Sequence, residues 1–387
     1  MRKLNKKTTK IIQVAVFFLI PFILLMGSII SPDKESSEKE NRSLAQFPKL
    51  TIASLSSGDF MTRFESYMSD QIIGREKIVS AKTFLNRAIG KTEQNGVYIG
   101  NEGWLFEKPS IYDDDKVSKT TDAISTFCNE CGIENQMFVL VPDSTEIITD
   151  KLPAFLSCES QEEQIKNICS SLPGNVLTPD AERALKNADN PEQLYYKTDH
   201  HWTTFGAKTV FDTIVDTWGF DSEAVNYQTF ALSDTFYGTL SSSSGIRDTS
   251  DIINATIPEN SAGTYIVQNS SEQTKSTSMF DLSKLKKSNQ YEVFLGGNFS
   301  KLVISTDTDT DNTLLLFKDS YANCMLPMLT PYFSKIVVID ARYYTDDIKM
   351  VVESEDYTHL MFLYNVNTFL EDTSLKDVLP MDTEDAK

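Results

Sequence analysis

The most regular stretch of this 387-residue sequence is TLLLFKDSYANCMLPMLTPYFSKIVVID, residues 313–340. Its ends, TLLLFKDS and FSKIVVID, contain short apolar runs typical of buried strands, and YANCMLPML between them (321–329) predicts a helix. Strands that are apolar throughout and separated by a helix are typical of parallel sheets, because crossover helices bury both faces. The stretch therefore predicts an α/β fold, with Lys318-Asp319-Ser320 at the turn between strand and helix.

The same alternation extends along the rest of the chain. Further helices are predicted near 116–131, 161–169 and 205–220, and further strands in QMFVLVPDS (136–144), GNVLTPD (174–180) and THLMFLYNVN (358–367). Residues 95–108 predict a hairpin that turns at Asn101-Glu102-Gly103, and residues 226–290, rich in Ser, Thr and Asn, predict a mostly β insertion. We expect one main domain with a mostly parallel sheet and helices on both faces.

The amino end has the pattern of a membrane anchor. Residues 1–10 hold five Lys or Arg and no acid, and residues 11–30, IIQVAVFFLIPFILLMGSII, are uncharged. A helix of this length rises about 30 Å, enough to cross the hydrocarbon core of a bilayer. The basic flank predicts a cytoplasmic amino end and an extracytoplasmic remainder. The run lacks the A-x-A site of a cleaved signal peptide, which favours an uncleaved, single-pass anchor in the cell membrane.

Beyond the anchor, the polar residues 31–58 predict a flexible tether. Residues 59–387 are predicted to form the main domain, and they open with apolar residues at helical spacing over 59–90. One or two amphipathic helices are expected there.

The charge of the chain excludes one class of partner. The formal net charge is −19 although the first ten residues are basic, so the predicted domain is strongly acidic. Nucleic acids and anionic lipid surfaces bind clustered basic charge. We therefore expect no nucleic-acid partner, and a neutral substrate such as a glycan fits better.

The cysteines predict little chemistry. Five in a chain of this length are too few for a disulfide scaffold, although Cys158 and Cys169 could bridge a loop. Cys128 and Cys131 have the CxxC spacing of redox and zinc motifs, but no second pair accompanies them. The pattern fits a helix end followed by Gly132 better.

A first candidate site lies in YYKTDHHWTTFGA, residues 195–207, which contains two of the three histidines in the chain. Asp199 and His201 are two residues apart, so in an extended segment both side chains point to one side, where a carboxylate can orient an imidazole base. Two other interpretations remain open. Thr198 or Asp199 can cap a helix that starts near Trp202, or the Asp and the histidines can bind a metal, although adjacent histidines usually diverge.

A second candidate is Ser320, which follows the strand directly. A strand-turn-helix elbow exposes a serine hydroxyl at the carboxyl edge of a sheet and leaves free N–H groups that can hold an oxyanion. The alternative is that Asp319 and Ser320 only cap the helix. Acyl transfer requires a nucleophile, a base and an orienting group, and the two segments together supply all three.

These motifs resemble those of the DHHW family. YYKTDHHWT contains the four residues that give the family its name, and Lys318-Asp319-Ser320-Tyr321-Ala322 is similar to its second signature. Further similar stretches are ENRSLAQFP (40–48), NGVYIGNEGWL (95–105), FYGTL (236–240) and FLGGN (294–298). The resemblance covers nearly all of the chain beyond the anchor.

The resemblance implies a fold and residue roles. DHHW proteins are similar to proteins that O-acetylate alginate and other exported polysaccharides, with a permuted, SGNH-like (flavodoxin-like, three-layer) fold. Asp199 would then orient, His201 act as base and Ser320 as nucleophile, whereas His200 occupies a variable position. Gly297 with Asn298 are the implied oxyanion donors, Asn365 competes with them, and Arg342 either touches substrate or pairs with an acid. Lys318 departs from the Gly that precedes Asp-Ser in ordinary SGNH hydrolases.

The resemblance also implies a function. The expected activity is acetyl transfer to a cell-envelope or exported polysaccharide, with a glycan acceptor and a multipass membrane acyltransferase as donor. No cofactor and no metal are expected. A carbohydrate acetylesterase using the same three residues, and a non-catalytic surface protein that binds glycan or scaffolds a complex, are the alternatives.

Overall fold

Two units are distinguished by their internal contacts in the computed structural model, residues 1–91 and residues 92–387. The structure describes residues 6–154, 156, 160–259 and 265–381. Cys158 and the first five residues of the basic tail lie outside the described residues. The domain boundaries expected at residues 31 and 59 remain predictions.

The first unit is mainly helical. The apolar run at the amino end lies within helix α1 (Lys6–Ile30), which is long and apolar enough to cross a membrane by length and composition. It is followed by a short hairpin and three helices: β1 (Ser36–Ser37), β2 (Arg42–Ser43), α2 (Ile52–Ser56), α3 (Asp59–Asp70) and α4 (Arg75–Ala88). One or two helices were expected over 59–90, and α3 and α4 are found there.

The second unit opens with a three-stranded antiparallel sheet made of β3 (Glu93–Gln94), β4 (Val97–Ile99) and β5 (Leu105–Glu107). The hairpin between β4 and β5 is the one predicted. Glu102 and Gly103 in its turn have φ values of 55° and 82°. Glycine tolerates this left-handed conformation, which explains its use in the turn.

The described part of the chain from there to residue 218 is mainly helical, with β6 (Asn135–Val141) as its one strand. These elements are α5 (Asp114–Glu130), β6 (Asn135–Val141), α6 (Ser144–Ile147), α7 (Gln161–Ser170), α8 (Ala181–Lys186) and α9 (Thr204–Trp218). The strand predicted at 174–180 is wrong, because in that fully described run only Leu177 pairs, through a single bridge to Met137.

The second half of the chain supplies most of the strands. Its elements are β7 (Tyr227–Phe236), α10 (Thr239–Ser244), β8 (Asp251–Pro258), β9 (Tyr265–Asn269), β10 (Thr274–Ser276), β11 (Lys301–Thr306), β12 (Thr313–Lys318), α11 (Leu326–Leu329), β13 (Lys335–Ile339), α12 (Ile348–Val352), β14 (His359–Asn365), α13 (Val366–Glu371) and α14 (Ser374–Val378). Strands β7 and β8 form a separate antiparallel pair.

The main sheet has seven strands in the order β10-β9-β11-β13-β12-β14-β6. The pairs β13–β12, β12–β14 and β14–β6 are parallel, and the other three pairs are antiparallel. The expectation of a mostly parallel sheet is therefore corrected to a mixed sheet. Strands β9 and β10 come from the segment 226–290 that was expected to be an insertion, and they extend the sheet at one margin.

Burial explains why one part of the main sheet is parallel and the other part is antiparallel. Strands β6, β12, β13 and β14 are buried along nearly their whole length, whereas β9 and β11 alternate between buried and partly exposed residues. Parallel strands need cover on both faces, while antiparallel strands tolerate a solvated face.

Helices cover both faces of the parallel part. On β12, Leu314 and Leu316 point into a core with residues of α8 and α9, while Leu315 and Phe317 point into a second core with residues of α5 and α12. Alternate side chains of a strand point to opposite faces, so the unit has three layers. The predicted α/β class with helices on both faces is confirmed.

Candidate active site

The segment that carries Asp199 and His201 is held in place by its backbone. The N–H groups of Lys197 and Thr198 donate to the two carboxylate oxygens of Asp251, at 2.9 and 2.8 Å. Helix α9 starts only at Thr204 and is capped by Thr203, whose hydroxyl accepts from the N–H groups of residues 205 and 206. The interpretation of Thr198 or Asp199 as the cap of this helix is therefore wrong.

Ser320 stands where β12 ends. Asp319 caps the 3-10 turn Ser320–Cys324 by accepting from the N–H of Tyr321 at 2.9 Å, and its second oxygen accepts from the N–H of Asn365 at 2.8 Å. Asp319 therefore takes the capping role and leaves the hydroxyl of Ser320 free for another partner. Burial raises the pKa of Asp319, against the effect of Arg342 and these two N–H donors.

The side chains of Asp199, His201 and Ser320 meet at this edge of the sheet. Nδ1 of His201 lies 2.5 Å from Oδ1 of Asp199, and its Nε2 lies 2.7 Å from Oγ of Ser320. Asp199 and His201 are 1% and 5% exposed, whereas Ser320 is partly exposed. An imidazole is thus held between a buried carboxylate and an accessible hydroxyl.

The electrostatics assign the protons in this arrangement. Burial raises the pKa of Asp199, but the two neighbouring imidazoles and the hydrogen bonds from His201 and Thr239 outweigh it and hold the pKa well below its usual range. Burial lowers the pKa of His201 to about 4, with help from His200 and against the pull of Asp199. At neutral pH the carboxylate is therefore ionised and the imidazole neutral, with its proton on Nδ1 and its lone pair on Nε2 facing Ser320.

The second oxygen of Asp199 is held by the FYGTL stretch. Oδ2 accepts from the N–H and the hydroxyl of Thr239, at 2.7 and 3.0 Å. Gly238 packs so closely that a Cβ built on it would lie 2.2 Å from Cβ of Asp199. In the sequence, this stretch stood out only because it is similar to a stretch of the DHHW family. Gly238 was its one local sign that another residue packs closely there.

Reciprocal contacts join the two segments. Nε1 of Trp202 donates to the carbonyl of Tyr321 at 2.8 Å, and the hydroxyl of Tyr321 donates to the carbonyl of His200 at 2.5 Å. The ring of Tyr291 stacks on His201 with centroids 3.8 Å apart, and its hydroxyl donates to the carbonyl of Ser320 at 3.3 Å. Sequence reasoning did not single out Tyr291, because nothing in its local pattern connects it with residues 201 and 320.

A buried lysine organises the polar groups behind Ser320. Nζ of Lys318, which is 1% exposed, donates to Oδ1 of Asn298 at 3.0 Å, to Oδ1 of Asn323 at 2.8 Å and to Asp340 at 3.3 Å. Burial lowers the pKa of this lysine, and Asp340 opposes that effect. Asp340 also receives both ends of the Arg342 fork, at 2.8 and 2.7 Å. Arg342 is thus paired with an acid, the second of the two roles considered for it.

The orientation of Asn298 follows from these donors. Its oxygen accepts from both Lys318 Nζ and Asn323 Nδ2, each at 3.0 Å. Because an ammonium group is only a donor, the carboxamide oxygen must face Lys318. The NH₂ group of Asn298 is consequently turned away from this cluster and has no acceptor among the residues that the structure describes.

The other two candidate oxyanion donors are already engaged. Gly297, at φ 132°, donates its N–H to the carbonyl of Phe294 at 3.3 Å. The side chain of Asn365 caps α13 by accepting from the N–H of Asn367 at 2.9 Å and donates to the carbonyl of Val141 at 3.3 Å. Asn298 is therefore a better candidate than Gly297 or Asn365 for donating a hydrogen bond to an oxyanion.

The fit to a metal ion is poor at the Asp-His-His group. Asp199, His200 and His201 bring one potential ligand atom each within 4.8 Å of one another. Both oxygens of Asp199, however, already accept hydrogen bonds, and Nδ1 of His201 carries the proton donated to Asp199. A second acidic group, Glu146, Glu162 and Glu182, surrounds Nζ of Lys186, which already supplies a cation.

The CxxC pair has the features of a helix end. Cys128 and Cys131 are buried free thiols, helix α5 ends at Glu130, and Gly132 follows with φ 71°. Burial raises the pKa of the Cys128 thiol to about 12. A thiol with such a pKa is a poor nucleophile at neutral pH.

The fold and this site define an α/β protein with a serine, a histidine and an aspartate in contact at the carboxyl edge of its sheet. The family model described as "DHHW protein" matches residues 135–339, more than half of the chain. The chain therefore belongs to the DHHW family. No curated protein matches it in sequence.

The first two of the following solved structures share the fold. A DHHW family protein from Eubacterium siraeum DSM 15702 is 20% identical, with a TM-score of 0.61 over 76% of this chain and 98% of its own. PatB1 from Bacillus cereus, solved with a sulfonyl adduct, is 20% identical, with a TM-score of 0.61 over 71% and 96%. The O-acetyltransferase domain of Pseudomonas putida AlgJ is 12% identical, with a TM-score of 0.45 over 73% and 99%.

Proposed function

We propose that this chain is a membrane-anchored, extracytoplasmic acyl-transfer protein of the SGNH-like type, with Ser320 as nucleophile, His201 as base and Asp199 as the group that orients the base. One observation carries the proposal: the continuous contact from Asp199 Oδ1 through the His201 ring to Ser320 Oγ, at 2.5 and 2.7 Å. A serine becomes nucleophilic when an oriented base takes its proton.

The first half-reaction transfers an acetyl group to the protein. Ser320 Oγ attacks the acetyl carbonyl while Nε2 of His201 takes the hydroxyl proton, and His201 then gives that proton to the leaving group. The negative charge on the carbonyl oxygen needs donors. We assign this role to the Ser320 N–H, at the start of its 3-10 turn, and to the NH₂ group of Asn298.

The second half-reaction releases the acetyl group to an acceptor. Our proposed acceptor is a hydroxyl of a cell-envelope or exported polysaccharide, as the family resemblance implies, and the donor is a multipass membrane acyltransferase. The acidic composition supports a neutral acceptor. If water takes the place of the sugar hydroxyl, the same steps make the protein a carbohydrate acetylesterase.

Substitution of the serine tests the enzyme class. We expect Ser320→Ala to abolish release of nitrophenolate from p-nitrophenyl acetate by the full-length protein in detergent, because no acyl-serine can form. Ser144→Ala is the matched control, since Ser144 also follows an aspartate at the end of a parallel strand. Equal activity of Ser320→Ala and the unaltered protein would overturn the proposal and favour a non-catalytic glycan-binding protein.

A covalent probe gives a second readout that needs no turnover. PatB1 has been obtained with a sulfonyl adduct, so we choose phenylmethylsulfonyl fluoride as the reagent. Attack by Ser320 Oγ forms an O–S bond, fluoride leaves, and the proton passes to His201. We expect mass spectrometry of the digested protein to find the sulfonyl group on the peptide that contains Ser320.

A further inference from the structure

One imidazole at the site has no part in these steps. The side chain of His200 is 28% exposed, compared with 6% for His201. The two rings face each other, with centroids 3.9 Å apart and planes tilted by 36°. A second, accessible imidazole therefore lies directly against the proposed base.

The proton on His200 is determined by Thr239. The hydroxyl of Thr239 lies 3.0 Å from Oδ2 of Asp199 and 2.7 Å from Nδ1 of His200, but a hydroxyl has one proton. The ionised carboxylate is the stronger acceptor and can only accept, so the Thr239 proton points to Asp199. Thr239 Oγ1 then accepts from His200, which in the neutral form of the ring places the proton on Nδ1.

The remaining nitrogen of His200 is therefore a hydrogen-bond acceptor. Nδ1 of His200 lies 3.8 Å from Oδ1 of Asp199, so both stacked rings turn Nδ1 toward the same carboxylate. Their Nε2 atoms lie on the ring edges that face away from Asp199. Nε2 of His201 accepts from Ser320, and Nε2 of His200 has no hydrogen-bond partner among the described residues.

We infer that Nε2 of His200 binds the acyl acceptor, by accepting a hydrogen bond from a second hydroxyl next to the one that reacts. This inference rests on the proposed function. In the transfer step the reacting hydroxyl gives its proton to His201 Nε2 as its oxygen bonds to the acetyl carbon; the bond to Ser320 Oγ breaks, and Oγ recovers the proton. The acceptor class is thus a carbohydrate or polyol with neighbouring hydroxyls, rather than a simple alcohol.

Two small alcohols of similar size test this preference. The full-length protein in detergent is acetylated by p-nitrophenyl acetate, and ethylene glycol or 2-methoxyethanol is supplied as acceptor. Both have a second oxygen at the same position, but only ethylene glycol can donate a hydrogen bond from it. We expect the acetyl ester of ethylene glycol to form about fivefold faster per hydroxyl group, the effect of about one hydrogen bond.

Two variants distinguish the roles of the two nitrogen atoms of His200. In His200→Asn the carboxamide NH₂ replaces Nδ1 against Thr239, but no acceptor replaces Nε2, so the preference for ethylene glycol is expected to vanish. In His200→Gln the longer side chain carries its oxygen to the Nε2 position, and part of the preference is expected to remain. The preference is measured within each variant as the ratio of the two acetyl esters formed per hydroxyl group, so a change in overall nitrophenolate release in His200→Asn does not alter it.

The outcomes distinguish the two proposals. Equal transfer to both alcohols by the unaltered protein, or an unchanged preference in His200→Asn, overturns the role of His200 while Ser320-dependent nitrophenolate release continues. If the unaltered protein releases no nitrophenolate, the proposed function fails, and the inference fails with it. A preference that disappears in His200→Asn and partly persists in His200→Gln supports both.

Discussion

At the scale of single residues, the site depends on which atoms already have hydrogen-bond partners. Asp199 has both carboxylate oxygens occupied, so it can orient His201 without moving. Asp319 caps the turn, so Ser320 does not have to. The burial that isolates His201 also determines the pH at which it can act as a base.

The pH dependence of ester cleavage follows from that burial. Because burial lowers the pKa of His201 to about 4, the imidazole stays neutral well below 6.5, and activity is expected to fall only as the pH approaches 4. The folded state binds fewer protons at His201 than the unfolded state between these pH values, so the free energy of unfolding also decreases as the pH falls from 6.5 to 4. A kcat/KM profile against pH checks the first expectation, and an acid limb centred at 6.5 or higher would contradict it.

A second prediction at the scale of single residues concerns the NH₂ group of Asn298. Asn298→Asp keeps the oxygen that accepts from Lys318 and Asn323 but removes the donor, so the fold should persist while kcat falls about 100-fold, as for other oxyanion donors. The control is Asn312→Asp, the same substitution at the residue directly before β12 begins. An unchanged kcat in Asn298→Asp would remove this residue from the oxyanion site.

At the scale of elements, three loops converge on the carboxyl edge of the sheet. The loop before α9 brings the proposed base, the turn after β12 brings the proposed nucleophile, and the start of α10 brings Thr239 against the carboxylate of Asp199. The contact between Thr239 and Asp199 requires a residue without a side chain next to Thr239. That residue is Gly238, whose N–H donates to the hydroxyl of Thr198 at 3.0 Å.

Adding a methyl group at Gly238 should therefore separate these loops. A Cβ at this position lies 2.2 Å from Cβ of Asp199, so Gly238→Ala is expected to lower the free energy of unfolding by about 1–3 kcal/mol and to reduce ester cleavage strongly. Gly174→Ala serves as control, because nothing lies within 4 Å of a Cβ built there. Thermal unfolding and nitrophenolate release measure the two effects. Full activity in Gly238→Ala would show that the contact does not hold Asp199.

At the scale of the whole molecule, the apolar helix α1 is the proposed membrane anchor. A charged side chain near the centre of a membrane span costs about 2.5–3.5 kcal/mol. The double substitution Ile20→Arg and Ile23→Arg is therefore expected to move the protein from the membrane pellet to the soluble fraction, whereas Ser31→Arg, just beyond the helix, should not. Retention of the double variant in the membrane fraction would argue against an anchor.

The local part of this architecture is predictable from the sequence. The apolar runs at 314–317 and 360–364, the helix 204–218 and the hairpin around Gly103 have patterns that depend on neighbouring residues only. The strand expected at 174–180 failed, and β9 and β10 were not expected in the main sheet, because pairing of short polar strands depends on distant partners.

The serines illustrate what only the tertiary structure decided. Val141-Pro142-Asp143-Ser144 and Phe317-Lys318-Asp319-Ser320 both end a buried parallel strand, and in both the aspartate caps the next turn. Only Ser320 meets His201, because the two segments, 119 residues apart in the chain, are joined by the folded sheet. The sequence by itself determined the strand-to-helix turns and the Asp-x-His spacing, which are local. The choice of serine, the closeness of Gly238 to Asp199 and the orientation of Asn298 by Lys318 depend on long-range packing, which local patterns do not encode.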